Sequence, residues 1–254
     1  MGTSLLVFLV ILNFSIPQVA KRSADFRQGQ LENAIFTEDL PLLSEALDAK
    51  ADPNHVIAMS PMRLQALGEI SHRLGHYFAE ETKATPLMIA AALGKRDVCE
   101  TLLRSGAVRY QASAWGWVPA QYAAKCGYPE LAQTLFDSDP LAANYQLVIT
   151  ITGQTVVLYK NGVPIVTGKI STGRKGYDTP QGRYLVTDKE RSRRSSLYKV
   201  PMPYFLRLSF GEYGIHQGYN PGRPASHGCI RVGTEEVAKA IYEQTPIGTL
   251  VTIQ

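Results

Sequence analysis

The 254-residue chain is poor in several residue types that would announce its chemistry at once. It has three cysteines, five histidines and two tryptophans. Three cysteines exclude a disulfide framework, and one of them must stand unpaired within a monomer. No apolar run approaches the roughly 20 residues of a membrane-spanning helix. The longest, Ser4–Ile16, instead has the size of the apolar region of a secretory signal, with residues 1–20 as the expected signal segment. No Lys or Arg precedes that run and no cysteine lies near it to carry a lipid, whereas Lys21-Arg22 just beyond it leave a signal anchor open. Export to the periplasm or cell envelope, without a stable transmembrane span, is the expectation. Neither charge sign dominates: 26 Lys and Arg stand against 22 Asp and Glu, net +4, too mild for a nucleic-acid binder.

The small net charge hides a division. Residues 1–140 carry 12 basic and 15 acidic side chains, net −3; residues 141–254 carry 14 and 7, net +7. Two modules with different tasks are implied.

In the first half a pattern repeats after 33 residues. Thr85-Pro86-Leu87-Met88-Ile89-Ala90-Ala91, then Gly94 and Leu102-Leu103, returns as Val118-Pro119-Ala120-Gln121-Tyr122-Ala123-Ala124, then Gly127 and Leu135-Phe136. The alanines let two antiparallel helices approach, the glycine ends the first helix, and the apolar pair buries the second. A weaker copy lies upstream at Leu42-Leu43, Ala46-Leu47 and Ala51-Asp52-Pro53-Asn54, followed by about 25 extra residues near 57–83, with a helix expected over Met62–Phe78. The pattern resembles ankyrin repeats, here assigned to residues 21–140, and implies an all-α array with a protein partner. Cys99 and Cys126 fall at helix positions of successive copies, as packing residues or as a mutual disulfide.

After Asp139-Pro140 the texture turns to strands. Gln146–Thr152 and Thr155–Lys160 are β-branched runs around Gly153-Gln154, and Asn161-Gly162 makes a second tight turn. Further strands are expected at Arg183–Asp188, Pro203–Leu208, Tyr213–Gln217 and Leu250–Ile253, with one short helix at Glu235–Glu243. The basic run Arg191-Ser192-Arg193-Arg194 reads as a solvated loop, or as a loop over a cleft that steers anionic substrates.

Two histidines and one cysteine fall together in Gly214-Ile215-His216-Gln217-Gly218 and Ser226-His227-Gly228-Cys229-Ile230-Arg231. A nucleophilic thiol needs a nearby base and backbone amides free to meet an oxyanion. His216, His227 and Cys229 would also suit zinc by residue type.

This stretch, with Thr179-Pro180-Gln181-Gly182, resembles the L,D-transpeptidase catalytic domain family over residues 145–254. The resemblance implies a mostly β, sandwich-like domain that needs no metal or organic cofactor. Cys229 would attack the peptidoglycan stem-peptide carbonyl before the terminal D-alanine, and His216 would be the base. His227 would serve chemistry or packing. Ser226, His227 and Gly228 would shape the cysteine turn and oxyanion pocket with Cys229's own amide, and Arg231 would orient the loop or bind a substrate carboxylate. An amine acceptor would complete a cross-link. Water would give an L,D-carboxypeptidase, and cleavage of a protein–peptidoglycan link would use the same pair. A binding module with an inactive enzyme domain is the reading from another class.

Overall fold

The computed structural model describes residues 3–254 apart from Ser71 and Asp137, and the side chains from Ala20 onward apart from Ser71–Arg73. The expected signal segment, up to Val19, therefore falls on side chains outside the described set. Among the described residues no helix is long and apolar enough to cross a membrane. The chain divides into two compact units, residues 1–117 and 118–254.

The first unit holds six helices among its described residues: α1 (Thr3–Thr37), α2 (Leu40–Asp48), α3 (Pro61–Ile70), α4 (His72–Phe78), α5 (Pro86–Ala92) and α6 (Arg96–Arg104). Helix α5 begins where Thr85 Oγ1 accepts the Met88 N–H and Pro86 fills the first turn, where its missing N–H costs nothing. All seven of its residues are buried. Gly94 then takes φ +74° and turns the chain into α6, which buries Val98, Cys99 and Leu102. Asn54 ties the loops of neighbouring copies together: its Nδ2 donates to Gly106 O (2.9 Å) and its Oδ1 accepts the Val108 N–H (2.7 Å).

One helix was expected over Met62–Phe78, and the structure has two. Glycine lowers helix propensity, and Gly68 and Gly75 let α3 and α4 pack closely: a Cβ on Gly75 would lie 3.2 Å from Gly68 Cα.

The second unit opens with the other copy, α7 (Pro119–Lys125) and α8 (Pro129–Leu135). Val118 stands where the first copy has Thr85 and offers no side-chain cap. Gln121 Oε1 reaches back to accept the Val118 N–H instead (2.8 Å). A 3-10 turn over Pro140–Asn144 leads into the strands β1 (Tyr145–Thr150), β2 (Thr155–Lys160), β3 (Val163–Ser171), β4 (Gly182–Arg194), β5 (Pro201–Leu208), β6 (Gly214–Gln217) and β7 (Ile230–Val232). Helix α9 (Glu235–Gln244) and β8 (Leu250–Ile253) close the chain.

The mostly β domain is as expected, with one added feature: its strands close on themselves in the order β1-β2-β3-β7-β6-β5-β4-β8. The long strands β3 and β4 pair at one end with β2 and β8 and at the other with β7 and β5, joining two sheets around one core. That core contains Leu147, Leu158, Ile170, Val186, Leu206, Ile215, Ile230 and Val251, with Ala238 and Ile241 of α9. Each of its Leu, Ile and Val side chains, fully buried, contributes about 1.5–3 kcal/mol.

The basic run is a correction. Arg191–Arg194 lies in β4, with Arg193 opposite Met202 and Arg194 opposite Pro201, and not in a loop. The apolar run of β5 needs a partner strand. The arginines tolerate that role because their long side chains lie over neighbours, Arg193 at 4.7 Å from the Phe205 ring centre and paired with Glu190.

Candidate active site

Strands β6 and β7 run parallel, with Ile215 opposite Ile230 and His216 opposite Arg231. Successive strand residues point to opposite faces. Ile215 and Ile230 enter the core, so His216 and Arg231 belong to the other face. Cys229 immediately precedes β7, at the end of the loop from β6.

That loop is latched to the end of β3. Ala225 and Ser226 N–H both donate to Thr172 O (2.9 and 3.0 Å), and Arg174 N–H donates to Ser226 O (3.1 Å). Gln154 Oε1 accepts the Thr172 N–H (2.9 Å), and its Nε2 donates to Thr172 Oγ1 (2.7 Å). Ser226 Oγ accepts the Gly228 N–H (3.1 Å) and donates to Cys229 O (2.5 Å), while Thr179 Oγ1 donates to Gly228 O (2.8 Å). Gly228 itself has φ +111°, and a Cβ there would come within 2.5 Å of the Tyr213 ring. No other residue fits that turn without displacing Tyr213.

Cys229, His216, Ser226, His227 and Arg231 line a single cavity of about 430 Å³, and Gly228 is buried behind it. His216 Nδ1 lies 2.8 Å from Gln217 O. A carbonyl can only accept, so the proton sits on Nδ1 and the neutral ring keeps its lone pair on Nε2. Burial pushes the His216 pKa down, and Arg231 adds to this against the raising effect of the Gln217 carbonyl. Burial pushes the Cys229 thiol up, opposed by the Gly214 N–H and by Arg231 and Arg193. Both groups therefore rest uncharged near neutral pH. Such a pair can move a proton from sulfur to Nε2 as a bond forms, without a stored thiolate.

His227 is held differently. Tyr198 stacks on it with ring centres 4.3 Å apart, Tyr177 meets it edge-on at 4.9 Å, and Arg174 lies over Tyr177. Its pKa is lowered by partial desolvation, then by Arg174 and Arg231. Among the described residues no group of three or more His, Cys, Asp or Glu side chains is spaced to hold a metal ion. Cys99 and Cys229 are free thiols.

Sequence reading missed Gln154, Tyr177, Tyr198 and Tyr213, none of which belongs to the motif. Only Tyr213 is near His216 in sequence; the others arrive through tertiary contacts that leave no local signature.

The architecture defines a two-part chain: helical repeats, then a closed β domain with a thiol and an imidazole on one cavity. Residues 144–253 match the L,D-transpeptidase catalytic domain family, and residues 63–146 match ankyrin repeats in three copies. A Bacillus licheniformis protein named as an L,D-transpeptidase is 29% identical over 118 residues, which is 45% of this chain and 68% of that protein. Among solved structures, an L,D-transpeptidase from Mycobacterium smegmatis is 22% identical with a TM-score of 0.40, covering 44% of this chain and 58% of its own. One from Mycobacterium tuberculosis H37Rv is 28% identical with a TM-score of 0.40, covering 44% and 57%. This chain spans less than two thirds of those solved chains. It carries an L,D-transpeptidase catalytic domain at residues 144–253, preceded by ankyrin repeats.

Proposed function

We propose that the protein is a cell-envelope cysteine acyltransferase that cross-links peptidoglycan. The observation that carries this reading is the His216 tautomer: Nδ1–H is bound to Gln217 O, and Nε2 is left as the base on a cavity shared with Cys229.

Cys229 Sγ attacks the stem-peptide carbonyl before the terminal D-alanine while its proton passes to His216 Nε2. Gly228 N–H is engaged by Ser226 Oγ, so the oxyanion is met by the amides of His227 and Cys229. Collapse breaks the peptide bond, and His216 returns the proton to the departing D-alanine amine. An acceptor amine then attacks the thioester, loses a proton to His216 and releases the sulfur, which takes that proton back. Arg231 makes no ion pair among the described residues and is suited to a donor carboxylate. Water as acceptor gives the L,D-carboxypeptidase outcome. The substrate lies outside the cytoplasmic membrane, so export through residues 1–20 belongs to this reading, as does a protein partner for the repeats.

Mass spectrometry of muropeptides after incubation of the protein with purified sacculi tests it. New cross-links or trimmed stems are expected, and Cys229→Ser should lower their formation at least ~10³-fold. Full activity in that variant would refute the cysteine mechanism.

A further inference from the structure

The cavity around Cys229 and His216 is lined by three arginines, Arg193, Arg207 and Arg231, and by a single carboxylate, Glu212. Two of the arginines are engaged. Arg193 pairs with Glu190, and Arg207 donates to Asp188 Oδ1 (2.7 Å) and Gly211 O (3.1 Å). Glu212 is exposed and makes no ion pair or hydrogen bond among the described residues.

Its position is nevertheless well defined. Glu212 sits on the turn between β5 and β6, where Ser209 and Phe210 both take left-handed conformations (φ 46° and 57°). Ser209 N–H donates to Leu185 O (2.7 Å), its Oγ accepts the Leu185 N–H (3.0 Å), and Phe210 N–H donates to Thr187 Oγ1 (3.2 Å). Two residues after Glu212 comes Gly214, whose N–H faces the Cys229 thiol, and two later comes His216. One short, pinned segment therefore carries the carboxylate, the thiol's hydrogen-bond donor and the base.

The arginines suit an anionic donor but repel an amine acceptor, which is an ammonium at neutral pH because alkylamines titrate near 10. We propose that Glu212 is the acceptor-recognition residue: its carboxylate captures the acceptor's ammonium at the cavity mouth and favours aminolysis of the acyl-enzyme over hydrolysis. This rests on the proposed acyltransferase function. The captured ammonium loses one proton to solvent. The free amine's lone pair then attacks the thioester carbonyl, its second proton passes to His216, the C–S bond breaks, and the thiolate takes that proton from the imidazolium. A new amide remains. The resident competitor is Lys125, at the end of α7, whose ammonium interacts electrostatically with Glu212 from outside the cavity lining.

The test uses the full chain, a stem tetrapeptide as donor and Nα-acetyl-lysine amide as acceptor, which carries one ammonium and no carboxylate. Cys229 acylation is followed by intact mass, and the ratio of aminolysis to hydrolysis by product analysis. At subsaturating acceptor, Glu212→Gln should lower that ratio about three- to fivefold, the effect of losing one exposed charge contact. Glu212→Asp should recover most of it, and Lys125→Gln should raise it about twofold. An unchanged ratio in Glu212→Gln overturns the inference alone. So does loss of Cys229 acylation in that variant, which would make Glu212 a support of the site. No acylation of Cys229 in the unmodified chain overturns the enzyme reading and this inference with it.

Discussion

Two stretches written in the same 33-residue pattern end up in different parts of the molecule. The copy starting at Thr85 packs inside the helical unit, whereas the copy starting at Val118 belongs to the unit that holds the thiol and the imidazole. Their shared residues, Pro, Ala-Ala and Gly, build the same helical pair in both. Their differences show which surface each copy serves. Glu100 is replaced by Gln133, whose Nε2 donates to Gly248 O (2.7 Å). Leu103 is replaced by Phe136, whose ring meets Phe210 edge-on at 5.3 Å. Phe210 lies on the turn that leads to His216. Departure from the repeat pattern, more than the pattern itself, marks the copy fused to the catalytic domain.

The largest contrast between the units is in their thiols. Cys99 of the first copy is fully buried and pushed up to about 12, chiefly by burial. Cys229 is raised too, but the Gly214 N–H, Arg231 and Arg193 oppose the shift and its side chain reaches a cavity. At pH 8 a thiol titrating near 12 is ionised in about one molecule in 10⁴. Iodoacetamide should therefore label Cys229 at least ~100-fold faster than Cys99, as read by peptide mass mapping. Because thiolate is the reactive form and both values are raised, each rate should rise with pH through 7–9. Equal labelling would erase the distinction between the two thiols.

The second contrast tests the brace. Phe136→Ala removes the ring against Phe210 and should cost about 2–4 kcal/mol of stability, below the full 3–5 for a wholly buried Phe. It should also slow Cys229 acylation several-fold, because the turn before His216 loses a support. Leu103→Ala, at the equivalent position of the first copy, should cost about 1–2 kcal/mol and leave the acylation rate of the folded protein where it was. Denaturant titration with acylation kinetics on both variants reads the comparison. Equal kinetic effects would mean that the second copy is no more part of the site than the first.

Much of this organisation is legible in the sequence, for physical reasons that also explain what is not. Ser226, His227, Gly228, Cys229 and Arg231 are contiguous or nearly so, and their chemistry is visible as a group. His216 reaches the same cavity only because β6 lies parallel to β7, and the β-branched and apolar runs forecast such strands without their order. The repeat register shows because helix packing demands Ala-Ala and Gly at fixed spacing. Arg191–Arg194 eluded the reading because its strand is set by its partner β5 and not by its own residues. Met62–Phe78 eluded it because two glycines, each tolerable in a helix, act together to pack α3 on α4. Tyr177 and Tyr198 flank His227 from distant loops, and a contact between residues far apart in sequence has no local pattern.

The smallest effect belongs to the ion pair of Glu130, in the second copy, with Arg183 of β4. Both side chains are substantially exposed, and exposed pairs contribute about 0–1 kcal/mol because water screens them and two long side chains must be ordered. Arg183→Gln should thus lower stability by less than ~1 kcal/mol, with the difference shrinking further between 0.05 and 0.5 M salt as screening grows. Acylation of Cys229 should be unaffected, since the pair touches neither the β5–β6 turn nor the cavity. A loss as large as that of Phe136→Ala would move the brace from the aromatic contact to this ion pair, and the copy would be held to the catalytic domain by charge and not by packing.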